Sequence, residues 1–252
     1  GALKALQLTD TYENFNKYQK GNVRQCGFVF YIPAWNTSKT DPVTGFVNLF
    51  DTRLSTIGEI KAFFSKFDRI KYNAKNDTFE FSFDYNNFTS RAEGTRSCWT
   101  ISSQGERIFT HRSKEQNNQF VSEKVYPTQL FKEVFSNAGF DINGNLKEGI
   151  ALIDSLELLK QLLHAFKLVM QMRNSITCTD VDYLLSPAID NKGNNFDSRK
   201  GSKTLPVNAD ANGAFNIARK GLMVVEQIQT AYDITSIKYD VSNKEWLKFV
   251  QQ

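Results

Sequence analysis

Phe79, Phe81, Phe83 and Tyr85 alternate with Glu80, Ser82 and Asp84. A two-residue period puts the four aromatic rings on one side of an extended strand and the polar groups on the other. The chain must therefore build a sheet with one buried, aromatic face. Residues 69–72 supply an antiparallel neighbour across the turn at 73–77. Behind such a sheet a core has to be filled, and the chain has the means: 21 of its 252 residues are Phe and 40% are hydrophobic. That composition excludes a disordered chain.

The other elements follow from pattern. The apolar run over residues 27–32, ahead of Pro33, suits a buried strand. Residues 3–18 read as short helical pieces, with Thr9 or Asp10 as a cap. Turn signals at Asp41-Pro42 and Thr44-Gly45 make residues 36–45 a loop. A helix is expected over 56–67 and another over 128–138. Residues 98–102 and 107–111 read as a hairpin turning at Gln104-Gly105. Ile153, Leu156, Leu159, Leu163, Phe166 and Val169 keep helical spacing, which predicts one long helix over 149–173. A short strand at 183–185 stops before Pro187, and residues 190–194 form a turn. After a linker at 200–207, a second long helix is expected over 210–231. Ser242 and Glu245 have capping-box spacing ahead of a final helix. Strands cluster early and helices late, so the fold class is α+β.

Composition narrows the chemistry. Cys26, Cys98 and Cys178 are odd in number and far apart, with neither metal-ligand spacing nor a disulfide framework; a reduced, cytoplasmic setting fits them. His111 and His164 are the only histidines, which poorly supplies a zinc site or a Ser-His-Asp triad. Metal chemistry would have to use carboxylates, which suit magnesium. The net charge of +4 permits nucleic-acid binding without showing it. No apolar run approaches the ~20 residues of a membrane helix. The start, Gly1-Ala2-Leu3-Lys4, has no signal-peptide pattern and no initiator Met, as expected of the cut end of a longer protein, a tag scar or a processed terminus.

Residues 208–218, Asn-Ala-Asp-Ala-Asn-Gly-Ala-Phe-Asn-Ile-Ala, hold the most informative signal. Asp210 sits at the mouth of an amphipathic helix, where the dipole favours an ionised carboxylate. It reads either as an N-cap or as a metal ligand. Gly213 and Ala214 remove side-chain bulk and allow a sheet, a metal or a strand of nucleic acid to approach. Arg173 could complement a helix C-terminus or clamp a phosphate with two parallel hydrogen bonds. Ser175 could bond a phosphate or cap the helix end; Asp182 could orient Arg173 or be a solvated turn carboxylate. Asp197 and Arg199 read as a surface pair. Trp35 and Phe46 are candidates for stacking on unpaired bases.

The stretch around Asp210 resembles the third acidic motif of RuvC-like nucleases, in the form used by type V CRISPR effectors. Other blocks are similar to one subfamily, the type V-A effectors also called Cpf: Gly-Phe-Val-Phe-Tyr-Ile-Pro-Ala at 27–34, Thr37-Ser38-Lys39, Asp-Pro-Val-Thr-Gly-Phe-Val-Asn at 41–48, Gln-Met-Arg-Asn-Ser at 171–175, Ser186-Pro187 and Phe-Asp-Ser-Arg at 196–199. They keep that family's order along most of the chain.

The resemblance implies an RNase H-like RuvC fold interrupted by an inserted α+β Nuc domain. Residues 1–32 would be RuvC-like, 33–209 Nuc, and 210–252 RuvC-like again. It implies that Asp210 is the third catalytic acid and a magnesium ligand. Arg173 would be the Nuc arginine used in cutting, with Ser175 and Asp182 as polar, nucleic-acid-binding Nuc positions beside it. The partners implied are DNA target strands and a guide CRISPR RNA, in a monomeric bacterial effector. No motif here matches the family's first Asp or its middle Glu. Two magnesium ions about 3.5–4 Å apart need several oxygen ligands, so the chain by itself is expected to be inactive. Two other readings stay open: a module that positions single-stranded DNA without catalysis, and a scaffold in which Asp210 only caps a helix.

Overall fold

The computed structural model describes residues 6–9, 25–29, 32–176, 179–230 and 241–251, the first two stretches as backbone only. Strands β1 (Leu6–Thr9) and β2 (Gln25–Val29) form an antiparallel pair. Leu6–Thr9 is thus extended where helical pieces were expected; the rest of that reading, Phe30 and Tyr31 lie outside the described residues. A single 3-10 turn, Thr37–Lys39, interrupts the expected loop.

Helix α1 (Ile57–Ser65) starts where the sequence says it should. Thr56 accepts from the Glu59 N–H, and the Glu59 carboxylate accepts from the Thr56 N–H, a full capping box. Strands β3 (Arg69–Asn73) and β4 (Thr78–Asp84) pair as predicted. Strand β5 (Cys98–Ser102), however, pairs with β4 rather than with the residues after Gly105. Those residues form β6 (Arg107–Ser113), whose partner is β7 (Gln119–Val125). The expected 98–111 hairpin is therefore wrong. A short turn between two strands does not make them neighbours when the aromatic face of β4 needs cover on both edges. β7 was missed because it is mostly exposed and carries no apolar period.

Helices α2 (Pro127–Asn137), α3 (Leu146–Leu152) and α4 (Leu156–Val169) follow. The last two replace the single helix expected over 149–173. Ile153 turns extended and buries its side chain, and Ser155 caps α4 by accepting from the Leu158 N–H. The apolar spacing runs on through the break because both helices face one core. At the far end α4 stops at Val169, whose carbonyl accepts from the buried Arg107 guanidinium at 3.2 Å. Burial pushes that guanidinium's pKa down to about 10, and backbone carbonyls of Gln104 and Glu106 also receive its N–H groups.

Strand β8 (Arg173–Ser175) pairs with β9 (Asp182–Ile189), which in turn meets β5 and β10 (Asn195–Asp197). β9 runs through Pro187 rather than stopping before it. The register against β10 shifts there, and Asn195 satisfies the carbonyls of Ser186 and Pro187, so proline sits at an irregularity where the ladder tolerates it. The main sheet has six strands in the order β10-β9-β5-β4-β3, with β8 beside β9. Helix α5 (Ala209–Thr230) and the capping-box helix α6 (Asn243–Val250) close the chain. Gly45 is fixed by this closure: its φ is +71° and a Cβ would lie 2.1 Å from the Val250 carbonyl oxygen. No helix of the described residues is long and apolar enough to cross a membrane.

The core sits between the aromatic face of β4 and helices α1 to α4. Phe50, Phe63, Phe67, Phe83, Phe88 and Phe166 meet there mostly edge to face. The Tyr85 hydroxyl donates to the Val47 carbonyl and accepts from the Leu49 N–H, so the loop ahead of α1 is tied to the sheet; burial holds its pKa above the ordinary phenol value.

At the seam between α4 and β6, the half-buried His164 packs edge-on against Phe109 at 4.9 Å. Burial, helped by Lys167, lowers its pKa below 6.5. The folded state therefore resists a proton that the unfolded chain accepts, so stability is lost as pH falls from 6.5 through the depressed folded value. We expect urea midpoints of wild type and His164→Gln to diverge below pH 6.5 and to run parallel above it. Parallel curves throughout would refute this.

Candidate active site

The described surface has a cleft of about 470 Å³ where the Thr37–Lys39 turn, the end of α4, β8 and the start of α5 converge. Arg173 and Asp210 both line it, beside Lys39, Lys167 and Gln171. The volume is that of a small-molecule or nucleotide-sized site.

Arg173 reaches the cleft because β8 is pinned on its other face. Asn174 is fully buried; its side-chain carbonyl accepts from the Ile108 N–H at 2.9 Å and its amide donates to the Met172 carbonyl. Gln171 adds a hydrogen bond to the Ile108 carbonyl at 2.8 Å. In an extended strand neighbours point opposite ways, so anchoring Asn174 inward turns Arg173 outward. Arg173 is therefore not a helix-end cation: α4 has ended with Met170 as its cap. Asp182 is not a turn carboxylate either. It opens β9 and meets Arg173 at 3.3 Å, with 17% of its side chain exposed against 56% for the arginine. Its other oxygen is buried and has no hydrogen-bond partner among the described residues. Ser175 lies opposite Asp182 in the β8–β9 ladder; it caps no helix and does not line the cleft.

Asp210 stands in the first turn of α5, exposed. The capping bond at this end comes from Asn208, whose side chain accepts from the Ala211 N–H at 2.9 Å. The N-cap reading of Asp210 is thereby corrected, and its carboxylate faces the cleft without that duty.

Sequence reasoning missed the seat of α5. Asn212, Asn216 and Lys220, four residues apart, form one buried polar stripe. Asn212 donates to the carbonyls of Ser38 and Thr40 at 3.1 and 2.9 Å; Asn216 donates to that of Thr37 at 2.9 Å. The Lys220 ammonium donates to the carbonyls of Pro33 and Trp35, and burial lowers its pKa. The signal was present as Asn-x3-Asn-x3-Lys, but apolar periodicity does not register a face that buries amides. Gly213 faces this turn as well. What approaches it among the described residues is the Ser38 turn, and at ordinary contact distance: an added Cβ would meet Ser38 at 3.7 Å.

Of the two aromatics expected to stack on bases, Phe46 is taken up by the core. Phe46 is 2% exposed between Tyr85 and Trp99, and Trp35 is half-buried against two apolar clusters. Asp197 and Arg199 do pair, at 2.8 Å, and Arg199 extends the pair to Glu106 at 2.6 Å.

Among the described residues no three His, Cys, Asp or Glu side chains gather as a metal-binding group. The cleft itself is lined by one carboxylate and three cations. Such a donor set does not by itself hold magnesium, which prefers octahedral oxygen coordination.

The architecture is thus an α+β domain with basic groups and a lone carboxylate converging on one cleft. Residues 40–200 match the family model described as a nuclease domain, NUC, and the chain belongs to that family. Membership gives it a nuclease role, in an enzyme that hydrolyses nucleic acid.

Proposed function

We propose that this chain is the C-terminal nuclease portion of an RNA-guided, magnesium-dependent DNA endonuclease of the type V-A CRISPR kind, working as a monomer in the bacterial cytoplasm. In this reading residues 33–209 are the Nuc domain, and residues 1–32 and 210–252 belong to a RuvC-like domain. One observation carries it: Arg173 and Asp210, far apart in sequence and on different elements, line the same cleft. Arg173 binds a phosphate of the strand to be cut, held in aim by Asp182, with Ser175 on the same strand. Asp210 is one magnesium ligand. Further carboxylates have to come from outside the described residues, and the chain alone does not cut. Guide pairing reads the target sequence while the protein handles backbone and shape.

Arg173→Ala in the intact protein tests the assignment. A charge-assisted hydrogen bond contributes about 1.5–3 kcal/mol, so cutting should slow by roughly tenfold to a hundredfold with target binding retained. Arg173→Lys should restore part of the rate, since it keeps the charge but not the planar fork. Unchanged cutting by Arg173→Ala would refute the role. The alternative is a module that positions single-stranded DNA without catalysis. The single carboxylate among three cations favours it, and it requires binding, not only cutting, to fall in the arginine variant.

A further inference from the structure

We propose that Lys39 and Lys167 act with Arg173 as a three-point clamp on the phosphodiester backbone of a single nucleic-acid strand lying in the cleft. The inference rests on the nuclease reading and assigns its substrate contacts.

The three cations come from three separate elements: the Thr37–Lys39 turn, the last turn of α4 and strand β8. All three are exposed and line one cleft. Lys61, Lys71, Lys124 and Lys132 each sit against a carboxylate. For Lys39 and Lys167 no such ion pair occurs among the described residues. Arg173 is held by Asp182 and Asp210 is the cleft's one carboxylate, so Lys39 and Lys167 add positive charge to this concavity that an anionic strand can meet. The volume, about 470 Å³, suits a short stretch of one strand.

Lys39 is also held in place. The carbonyls on either side of it, of Ser38 and Thr40, both accept from Asn212, and the Lys39 N–H donates to the Asn36 carbonyl at 3.0 Å. Asn212 is on α5, two residues beyond Asp210. The helix that carries the carboxylate thus also fixes the main chain that carries Lys39, so the two keep their spacing. Lys167 is set by its neighbour Phe166, which is fully buried in the core.

The test is binding of a labelled single-stranded DNA oligonucleotide to this chain, by fluorescence anisotropy over a salt series. Removing one cation from the strand's phosphates should lower the log–log salt slope by about 0.7. Lys39→Ala and Lys167→Ala should each show one such step, and the double variant two. Lys39→Arg and Lys167→Arg should keep the wild-type slope. Lys160→Ala, exposed on α4 but lining a different groove, should change nothing. If the unaltered chain binds and both alanine variants keep its slope, the clamp is wrong and the nuclease reading stands. An equal drop in Lys160→Ala would mean diffuse charge attraction and would also overturn the clamp. If the unaltered chain binds no DNA at any salt concentration, the clamp falls, while the nuclease reading is judged by cutting in the intact protein. Thermal melts of the variants should match wild type, because both lysines are exposed.

Discussion

Asp210→Ala in the intact protein should reduce DNA cutting by more than a hundredfold while leaving target binding within about twofold. Outer partners of a metal ligand already contribute about 10–100-fold, and a direct ligand should exceed that. The stability change should be small. Asn208, not Asp210, supplies the capping bond to the Ala211 N–H, so what the variant loses is at most the ~0.3–1 kcal/mol of a carboxylate in a first helical turn. These two readouts separate the explanations. A scaffold role predicts normal cutting; a ligand role predicts abolished cutting with near-normal melting. Asp210→Asn sharpens the contrast, since it keeps the shape and removes the charge. Normal cutting by either variant would end the assignment of Asp210 as a ligand.

Asp210 and Arg173 were legible one by one, but their meeting was not. Asp210 announced itself through the small residues that follow it, and Arg173 through its place after an apolar helix. That they share a cleft depends on two features that apolar patterning does not weigh. One is the Asn212-Asn216-Lys220 stripe, which seats α5 on the backbone of residues 33–40 through side-chain-to-carbonyl bonds. The other is Asn174, whose buried amide locks β8 against β6 and so decides which way Arg173 points. In both cases the determinant is a satisfied buried polar group, invisible to a reading that equates the interior with apolar residues. Lys39 and Lys167 escaped notice for a related reason: exposed lysines are ordinary until the fold brings them together.

The fold was legible wherever local rules and tertiary packing agree. The β3–β4 pair, α1 with its capping box and α6 with its own fall in this group. It was misread where a local signal competed with a distant partner. The Gln104-Gly105 turn is real, and Gly105 has a φ of +79°, yet β5 and β6 part after it because β5 is claimed by β4 and β9. The break at Ser155 was hidden for the opposite reason: the core-facing spacing is the same on both sides of it.

Phe166→Ala should lower stability by about 3–5 kcal/mol. Phe166 is fully buried. Its ring stands edge-on to those of Phe50, Phe63, Phe64, Phe67 and Phe81 at centroid distances of 5.4 to 5.7 Å. Those neighbours lie on the loop before α1, on α1, just past its end, and on β4, so the void would open where helices and sheet meet and no single element could relax to fill it. Against a typical total of about 5–15 kcal/mol, that loss would unfold a marginal domain at moderate temperature. The urea midpoint should fall with the m-value unchanged. Phe120→Ala is the matched control: Phe120 is 57% exposed on β7, and its truncation should stay within about 0.5 kcal/mol. Equal midpoints for the two variants would mean that the aromatic cluster does not organise the fold. Because α4 carries Phe166 into the core and Lys167 to the cleft, loss of the ring should also weaken single-strand binding at temperatures where the domain is still folded.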